Sequence, residues 1–305
     1  MPKHSAKRNV SPAANTVTLV STTSVCMAAA QYPRPGWPNM VNHLRGFFSK
    51  RNLVPMTEDM WGTGDYRAVA EKVTSIGDVL VSRAAIEPGM EVLDVACGTG
   101  NAAIPATKRG VRVTGLDLSP GLIAIARERG AESDVDIEWL EGDAQALPFE
   151  DDSFDRVISA IGHMFAPDHQ RTAGELRRVC RRGGRIAIAC WTPEGSIGSM
   201  FERLGGISPA PPEGFQSPLL WGTEGHVREL LGDAVEFEQH AVEFNEPSPE
   251  SYADFMLSSF PPLIAMRAQL GDELVRDTYL NWANDVNEVD DGTLRYRGDY
   301  LVSVT

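Results

Sequence analysis

Short apolar runs separated by amphipathic stretches dominate the chain from residue 65 to residue 191. "EVLDVA", "VRVTGLDL", "VDIEWLEGD", "FDRVISAIG" and "RIAIACW" are of strand length and are bounded by turn residues. The segments between them carry helix signals. A helix is predicted to begin near Asn101, with Pro105 tolerated in about its first turn. A second is framed by Ser119 as N-cap, Pro120 at its first position and Gly130 after its end. A third is predicted around residues 168–182, stopping at Gly183–Gly184. Ahead of the first strand, residues 65–86 place Val69, Val73, Ile76 and Leu80 on one helical face, and Pro88–Gly89 ends that element. Strand and helix alternating in this way, with mostly apolar strands, predict a parallel sheet covered on both faces.

Beyond Trp191 the rhythm changes. A loop rich in Gly and Pro follows, then a short helix at "TEGHVRELLG", a strand at "AVEFEQHAVEF", helical segments across 248–288 and a closing strand near "TLRYRGDYLVSV". The division expected is a cofactor-binding core at 56–195 and a substrate-side loop, insertion and two last strands at 196–305 that complete the same domain. Residues 1–55 show no sustained amphipathic period and are expected to be a disordered extension, read here as upstream sequence translated from an early start, with Met56 as the working start.

Charge sharpens this division. Residues 1–55 hold seven Lys/Arg and no acid, which leaves 21 basic and all 42 acidic residues, a net −21, to 56–305. Such a surface repels phosphate backbones and disfavours a nucleic-acid substrate. The four cysteines lack the paired spacing of a zinc site or a disulfide scaffold, so no metal is expected and a reduced, cytoplasmic setting fits best. No apolar run reaches the length of a membrane span. The "RRVCRR" cluster reads as a solvated helix end.

The chemistry concentrates at the carboxyl ends of the strands, where open parallel sheets bind their ligands. "VLDVACGTGN" runs from strand into a glycine turn, which alone fits a dinucleotide site, yet it places Asp94 just before the turn. An acid there opposes a pyrophosphate and favours S-adenosylmethionine, whose sulfonium and ammonium are cationic. Asp94 can then help to hold the methionine moiety directly or through water, and Gly98 and Gly100 let the backbone approach the ligand. Asp117 is placed to accept the ribose hydroxyls, and Asp143 with the N–H of Ala144 to take the adenine.

"EVLDVACGTGN", "VTGLDLSP", "EGDAQALPFEDDSFDRVIS" and "ELRRVCRRGGRIAIACW" resemble, in order, the motifs of class I S-adenosylmethionine-dependent methyltransferases, near the branch that includes quinone-biosynthesis enzymes. The resemblance covers roughly residues 65–195. It implies an α/β fold with a Rossmann-like, doubly wound seven-stranded sheet whose last strand is antiparallel, and a helical insertion over the active site. It also implies S-adenosyl-L-methionine as cofactor, with Asp94, Gly98, Gly100, Asp117, Leu118, Asp143 and Ala144 in the cofactor-binding positions; Tyr66, Ala96 and Ser159 are further candidate contacts. The chain departs from the quinone enzymes after the fourth strand, where it reads Ile161–Gly162–His163–Met164–Phe165, and in its N-terminal motif, for which Trp61 and Tyr66 offer a comparable cofactor lid.

The function expected is methyl transfer by in-line displacement to an O, N or C nucleophile of a small or medium organic acceptor. Aromatic and sulfur residues of the insertion, among them Tyr252, Phe255, Met256, Phe260, Tyr279 and Trp282, would line an apolar pocket beneath it. Two alternatives remain: a protein or nucleic-acid methyltransferase, and a noncatalytic cofactor-binding protein. His163, directly after the fourth strand, is the one candidate general base, with hydrogen bonding or packing beneath the cofactor as its alternative role. The sequence does not reveal the oligomeric state.

Overall fold

The computed structural model describes residues 58–305, so the expectations for residues 1–55 lie outside the described residues. Seven strands form one sheet: β1 Glu91–Val95, β2 Arg112–Asp117, β3 Glu138–Glu141, β4 Phe154–Ala160, β5 Cys180–Trp191, β6 Glu236–Glu246 and β7 Leu294–Val304. Their order is β3-β2-β1-β4-β5-β7-β6, and β7 alone runs antiparallel, against both β5 and β6. Strand order reverses between β1 and β4, so the crevice for a ligand opens beyond the carboxyl ends of these two strands. Asp94 pairs in register with Gly115 on one side and Ile158 on the other, which places its side chain in the middle of the sheet.

The helices in chain order are α1 Glu58–Trp61, α2 Tyr66–Glu71, α3 Thr74–Arg83, α4 Ala103–Thr107, α5 Pro120–Glu132, α6 His169–Val179, α7 Ser196–Ile207, α8 Glu224–Leu231, α9 Pro249–Ser259, α10 Pro261–Leu270 and α11 Asp272–Val286. The face shared by Val69, Val73, Ile76 and Leu80 belongs to two helices, not one. The chain breaks at Lys72–Val73, where both N–H groups bond three residues back, and the Lys72 side chain leaves to pair with Glu246 at the end of β6. Ser119 caps α5 and Pro120 opens it, as the sequence predicts, but the helix runs past Gly130 to Glu132. Asp134, at φ +52, makes the left-handed exit that the sequence reading gave to the glycine. The third helix is also shorter than expected. Asp168 caps α6, the helix stops at Val179, and Gly183–Gly184 form an irregularity inside β5.

The Gly/Pro-rich stretch after Trp191 contains α7, which the sequence reading treats as loop. Its amino end is fixed from above: the indole N–H of Trp282 donates to the Ser196 carbonyl at 2.9 Å, while Ile197 and Met200 are buried. The insertion between β6 and β7 is α9, α10 and α11, opened by a capping box at Ser248 and Ser251. These three helices pack on one another. In addition α9 meets α2, α10 meets α1 and α11 meets α7, so the insertion and the N-terminal helices close over the carboxyl edge of the sheet. Among the described residues no helix is long and apolar enough to cross a membrane.

Arg177 and Arg182 of the arginine cluster are exposed, as the sequence predicts, while Arg178 and Arg181 are woven into the fold. Arg178 donates to the carbonyls of Leu147 and Phe149 and pairs with Glu175 and Asp151, while Arg181 pairs with Asp155. These bonds pin the β3–β4 connection and the start of β4 to the end of α6.

Gly77 of α3 lies under the cofactor-side loop so closely that a Cβ would come 1.9 Å from the Asn101 carbonyl oxygen, whereas a Cβ on Gly174 of α6 meets nothing within 4 Å. Gly77→Ala is expected to destabilise the protein by about 1–3 kcal/mol, the scale for forcing volume into a packed site. Gly174→Ala should be neutral or stabilising by up to about 1 kcal/mol. Urea unfolding of both variants checks the contrast, and equal midpoints would remove α3 from beneath the loop.

Candidate active site

The loop after β1 is held by its neighbours on every side. Cys97 N–H donates to the Leu116 carbonyl, Gly98 N–H donates to the Asp117 carboxylate at 2.8 Å, and Gly100 N–H turns back to Cys97. Ala96 and Gly98 both have φ near +50°, the left-handed region, which costs Ala96 free energy and Gly98 almost none. From α5 the Arg129 guanidinium donates to the carbonyl and hydroxyl of Thr99 and to Asn101 Oδ1, and Asn101 in turn donates to the Ala70 carbonyl of α2. Arg129 escaped the sequence reading. A lone arginine in an amphipathic helix carries no local sign of which loop it will reach.

Two carboxylates sit inside this frame without an ion pair among the described residues. Asp117 lines the cavity and accepts from Gly98 N–H and Ser119 N–H; burial, the largest influence, raises its pKa against these two bonds. Asp94 is 1% exposed and lies beneath the loop. One of its oxygens accepts from Ala103 N–H at 2.9 Å and the other has no partner. Burial drives its pKa up to about 8, the Ala103 bond opposes this, and the nearby Asp117 adds to it. The Cys97 thiol between them is likewise pushed well up, by burial first and then by Asp117 and Asp94, so it stays protonated.

At the end of β3, Asp143, Ala144 and Gln145 line the cavity together. Asp143 accepts from the backbone and side-chain amides of Gln145, whose own oxygen takes the Asp168 N–H. Gln145 is a second residue the sequence reading missed. Leu118 lines the same cavity and is 41% exposed. Across from these residues, Trp61 and Tyr66 close the opening, with ring centroids 5.7 Å apart, Trp61 5.0 Å from Phe165 and Tyr66 stacked 6.4 Å from Phe260. Burial and the adjacent Asp117 raise the Tyr66 hydroxyl far above its ordinary pKa, so it is a donor at any physiological pH.

Asp94, Gly100, Ser159 and His163 do not line the cavity, so Asp94 faces it only through the glycine loop above. At Gly98 a Cβ would meet no protein atom and would project into open space, as a ligand cradle requires. At Gly100 a Cβ would come 2.8 Å from the Trp139 ring, with φ at +86°, so that glycine serves packing and backbone conformation. The Ser159 hydroxyl donates to the Val95 carbonyl and accepts from His163 N–H, tying β4 to β1. Ile161, at φ +70, turns the chain so that Phe165 and Ala166 reach the cavity and His163 points inward. His163 is fully buried, with Nδ1 3.1 Å from the Ser159 hydroxyl and its ring edge-on to Trp221. Burial, then neighbouring His169, lowers its pKa to about 3. The geometry thus gives His163 the packing role and no access to a substrate proton.

The cavity, about 220 Å³, is continuous from this acidic end to a chamber under the insertion. Its far walls are Trp191, Met200, Phe244, Tyr252, Tyr279 and Tyr296. Of the insertion residues singled out in the sequence, Tyr252, Met256, Phe260 and Tyr279 line the cavity; Trp282 is buried behind it. Lys72 also lines it, ion-paired with Glu246 at 2.5 Å.

Residues 92–184 match the family described as "Methyltransferase domain". An uncharacterised protein of Mycobacterium tuberculosis is 42% identical over 221 residues, which cover 71% of this chain and 81% of that protein. The demethylmenaquinone methyltransferase of Thermus thermophilus is 38% identical over 114 residues, 36% of this chain and 52% of that enzyme. The crystal structure of a Bacillus halodurans protein assigned as a methyltransferase superposes with a TM-score of 0.53 at 21% identity, covering 75% of this chain and 96% of that one. The chain belongs to the class I S-adenosylmethionine-dependent methyltransferases and shares a family with the mycobacterial protein. It is an enzyme and its cofactor is S-adenosylmethionine. The site fits that cofactor: a buried carboxylate oxygen lacks a partner, and a glycine leaves the space a ligand would fill.

Asp94 yields a pH prediction. Its folded pKa lies above the unfolded value, so its contribution to stability is fully present below about pH 4 and is lost as pH rises toward 8, by on the order of 4 kcal/mol at pH 7. A cationic group bound near it reverses the shift and expels the proton. Binding of S-adenosylmethionine at pH 7 should therefore release close to one proton, read by calorimetry in buffers of different ionisation enthalpy. Asp94→Asn should abolish the release, and a wild-type protein that releases none would separate Asp94 from the ligand's charge.

Proposed function

We propose that the enzyme methylates a small or medium organic molecule held in the chamber under the insertion, with Asp94, Asp117, Asp143, Ala144, Gly98 and Tyr66 serving the cofactor. The observation that carries this reading is the single continuous cavity, acidic at the glycine loop and walled by rings and thioethers beneath α9–α11. S-adenosylmethionine supplies a methyl group already activated on a sulfonium. The protein's task is therefore to orient a nucleophile and to exclude water.

The residues divide that work. Asp117 is held rigid by two backbone N–H groups and offers its remaining lone pairs to ribose hydroxyls. Asp143, aligned by Gln145, and the Ala144 N–H suit the adenine edge. Asp94 supplies negative potential below the methionine end. Trp61, Tyr66, Phe165 and Phe260 cover the opening. An enclosed apolar chamber and the acidic charge of residues 56–305 favour a small acceptor over a folded protein or a nucleic acid. No general base is assigned, and His163 is taken as a support for the β1–β4 edge.

Incubation with methyl-labelled cofactor and fractionated host extract tests the acceptor class: label is expected in the small-molecule fraction, and label in protein or nucleic acid would overturn the reading. Asp117→Ala should weaken S-adenosylhomocysteine binding by about 1.5–3 kcal/mol, the scale for a hydrogen-bonding charged group. For His163→Asn the expectation is an unchanged pH profile of kcat with some loss of thermal stability. A drop in turnover of about 10² or more in folded protein would restore it as a base.

A further inference from the structure

Among the described residues, several buried side-chain polar atoms have no hydrogen-bond partner, and one of them belongs to a residue of the cavity wall: the hydroxyl of Tyr279. The residue is 1% exposed and comes from α11, at the insertion's side of the cavity. The Tyr252 hydroxyl is close enough to interact with it but makes no well-formed bond to it. Tyr252, whose ring lies 6.1 Å away, has its hydroxyl engaged at 2.7 Å by Tyr296, which stacks on Phe244. On its other side Trp282 directs its N–H away, to the Ser196 carbonyl. A buried phenol without a partner costs free energy, and native structures rarely carry one unless a ligand or water completes it.

The charge around this group selects its partner. Burial is the main influence raising the Tyr279 hydroxyl well above its ordinary pKa, with Tyr252 and Glu246 adding to it, so the group donates and does not ionise. Lys72, the cation on this wall, is spent on Glu246, and its Nζ stands 4.9 Å from the Phe255 ring. A carboxylate or phosphate ligand would have to displace Glu246, while a cation would meet Lys72. What remains favourable is a neutral molecule with an apolar, ring-sized body.

We propose that the Tyr279 hydroxyl is the polar anchor of the methyl-acceptor site, donating a hydrogen bond to an uncharged oxygen or ring nitrogen of an otherwise apolar, ring-sized substrate. The inference rests on the small-molecule reading above. Tyr279 is a positioning and specificity residue here. One directional bond at the far wall fixes which atom of the acceptor turns toward the cofactor, and the apolar walls supply the remaining affinity.

The test uses the full chain saturated with S-adenosylhomocysteine and three probes of nearly one shape: acetophenone, isopropylbenzene and benzoate. Calorimetry on the wild type should rank acetophenone above isopropylbenzene by about three- to tenfold, the worth of one hydrogen bond, with benzoate weakest. Tyr279→Phe removes a hydroxyl that has no well-formed hydrogen bond in the fold, so its thermal midpoint should change little. It should lose the preference for acetophenone and keep its affinity for isopropylbenzene. Equal binding of the two neutral probes to the wild type, persistence of the preference in Tyr279→Phe, tightest binding of benzoate, or no binding of any probe would each overturn the proposal. Binding of S-adenosylhomocysteine is measured separately, so a failure of the cofactor site is seen as such.

Discussion

The structure turns on two buried carboxylates at the ends of β1 and β2 that hold one loop between them, with no ion pair to either among the described residues. Asp117 holds Gly98 and Ser119 at once, so a single side chain fixes both the glycine turn after β1 and the amino end of α5. Asp94 does the same for the start of α4 through Ala103. These bonds order the loop, but they leave two acids whose ionised forms burial disfavours, one of them with a partnerless oxygen. A cationic ligand relieves this cost, and a phosphate aggravates it. The choice of S-adenosylmethionine over a dinucleotide is therefore built into the same contacts that shape the backbone.

The loop would not keep its form alone, since Ala96 and Ile161 both take left-handed conformations that cost free energy for residues with side chains. The surrounding elements impose them. Arg129 reaches across from α5, Asn101 anchors to α2, and Gly162 approaches the Ala96 carbonyl so closely that any side chain there would collide. The strain is local to the cavity's edge, where the backbone must turn toward the ligand instead of continuing the sheet.

Much of this was legible in the sequence, and the gaps have physical causes. Strand-length apolar runs gave the sheet, and Asp94, Asp117 and Asp143 fell at strand ends because one residue type recurred at one topological position. Chemistry that depends on tertiary packing was not legible. Gly100 looks like a ligand-facing glycine, but Trp139, from a strand two positions away in the sheet, occupies the space. His163 follows β4 as a catalytic base might, yet one left-handed residue before it turns the ring into the core. The helix α7 was hidden by its own glycines, and its stability comes from contacts with α11 and β7, far away in sequence. Arg129 acts through a long reach that no local pattern encodes, and Gln145, which bonds Asp143 two residues back, also receives the distant Asp168 N–H.

The cavity joins two environments that suit the two halves of the proposed reaction. Groups whose charge and hydrogen bonding do not change during methyl transfer are matched by the acids and backbone amides near the glycine loop. The charge that does change is the sulfonium's, and its loss is favoured where polar groups are few and water is excluded. Rings from α1, α2 and the insertion supply that surrounding, and the buried His163 lies outside it. The corollary is that specificity comes from shape and from the polar groups of the far wall, where among the described residues the Tyr279 hydroxyl stands without a well-formed bond. For an enzyme of this design, the acceptor is written in those atoms and not in the motifs that bind the cofactor.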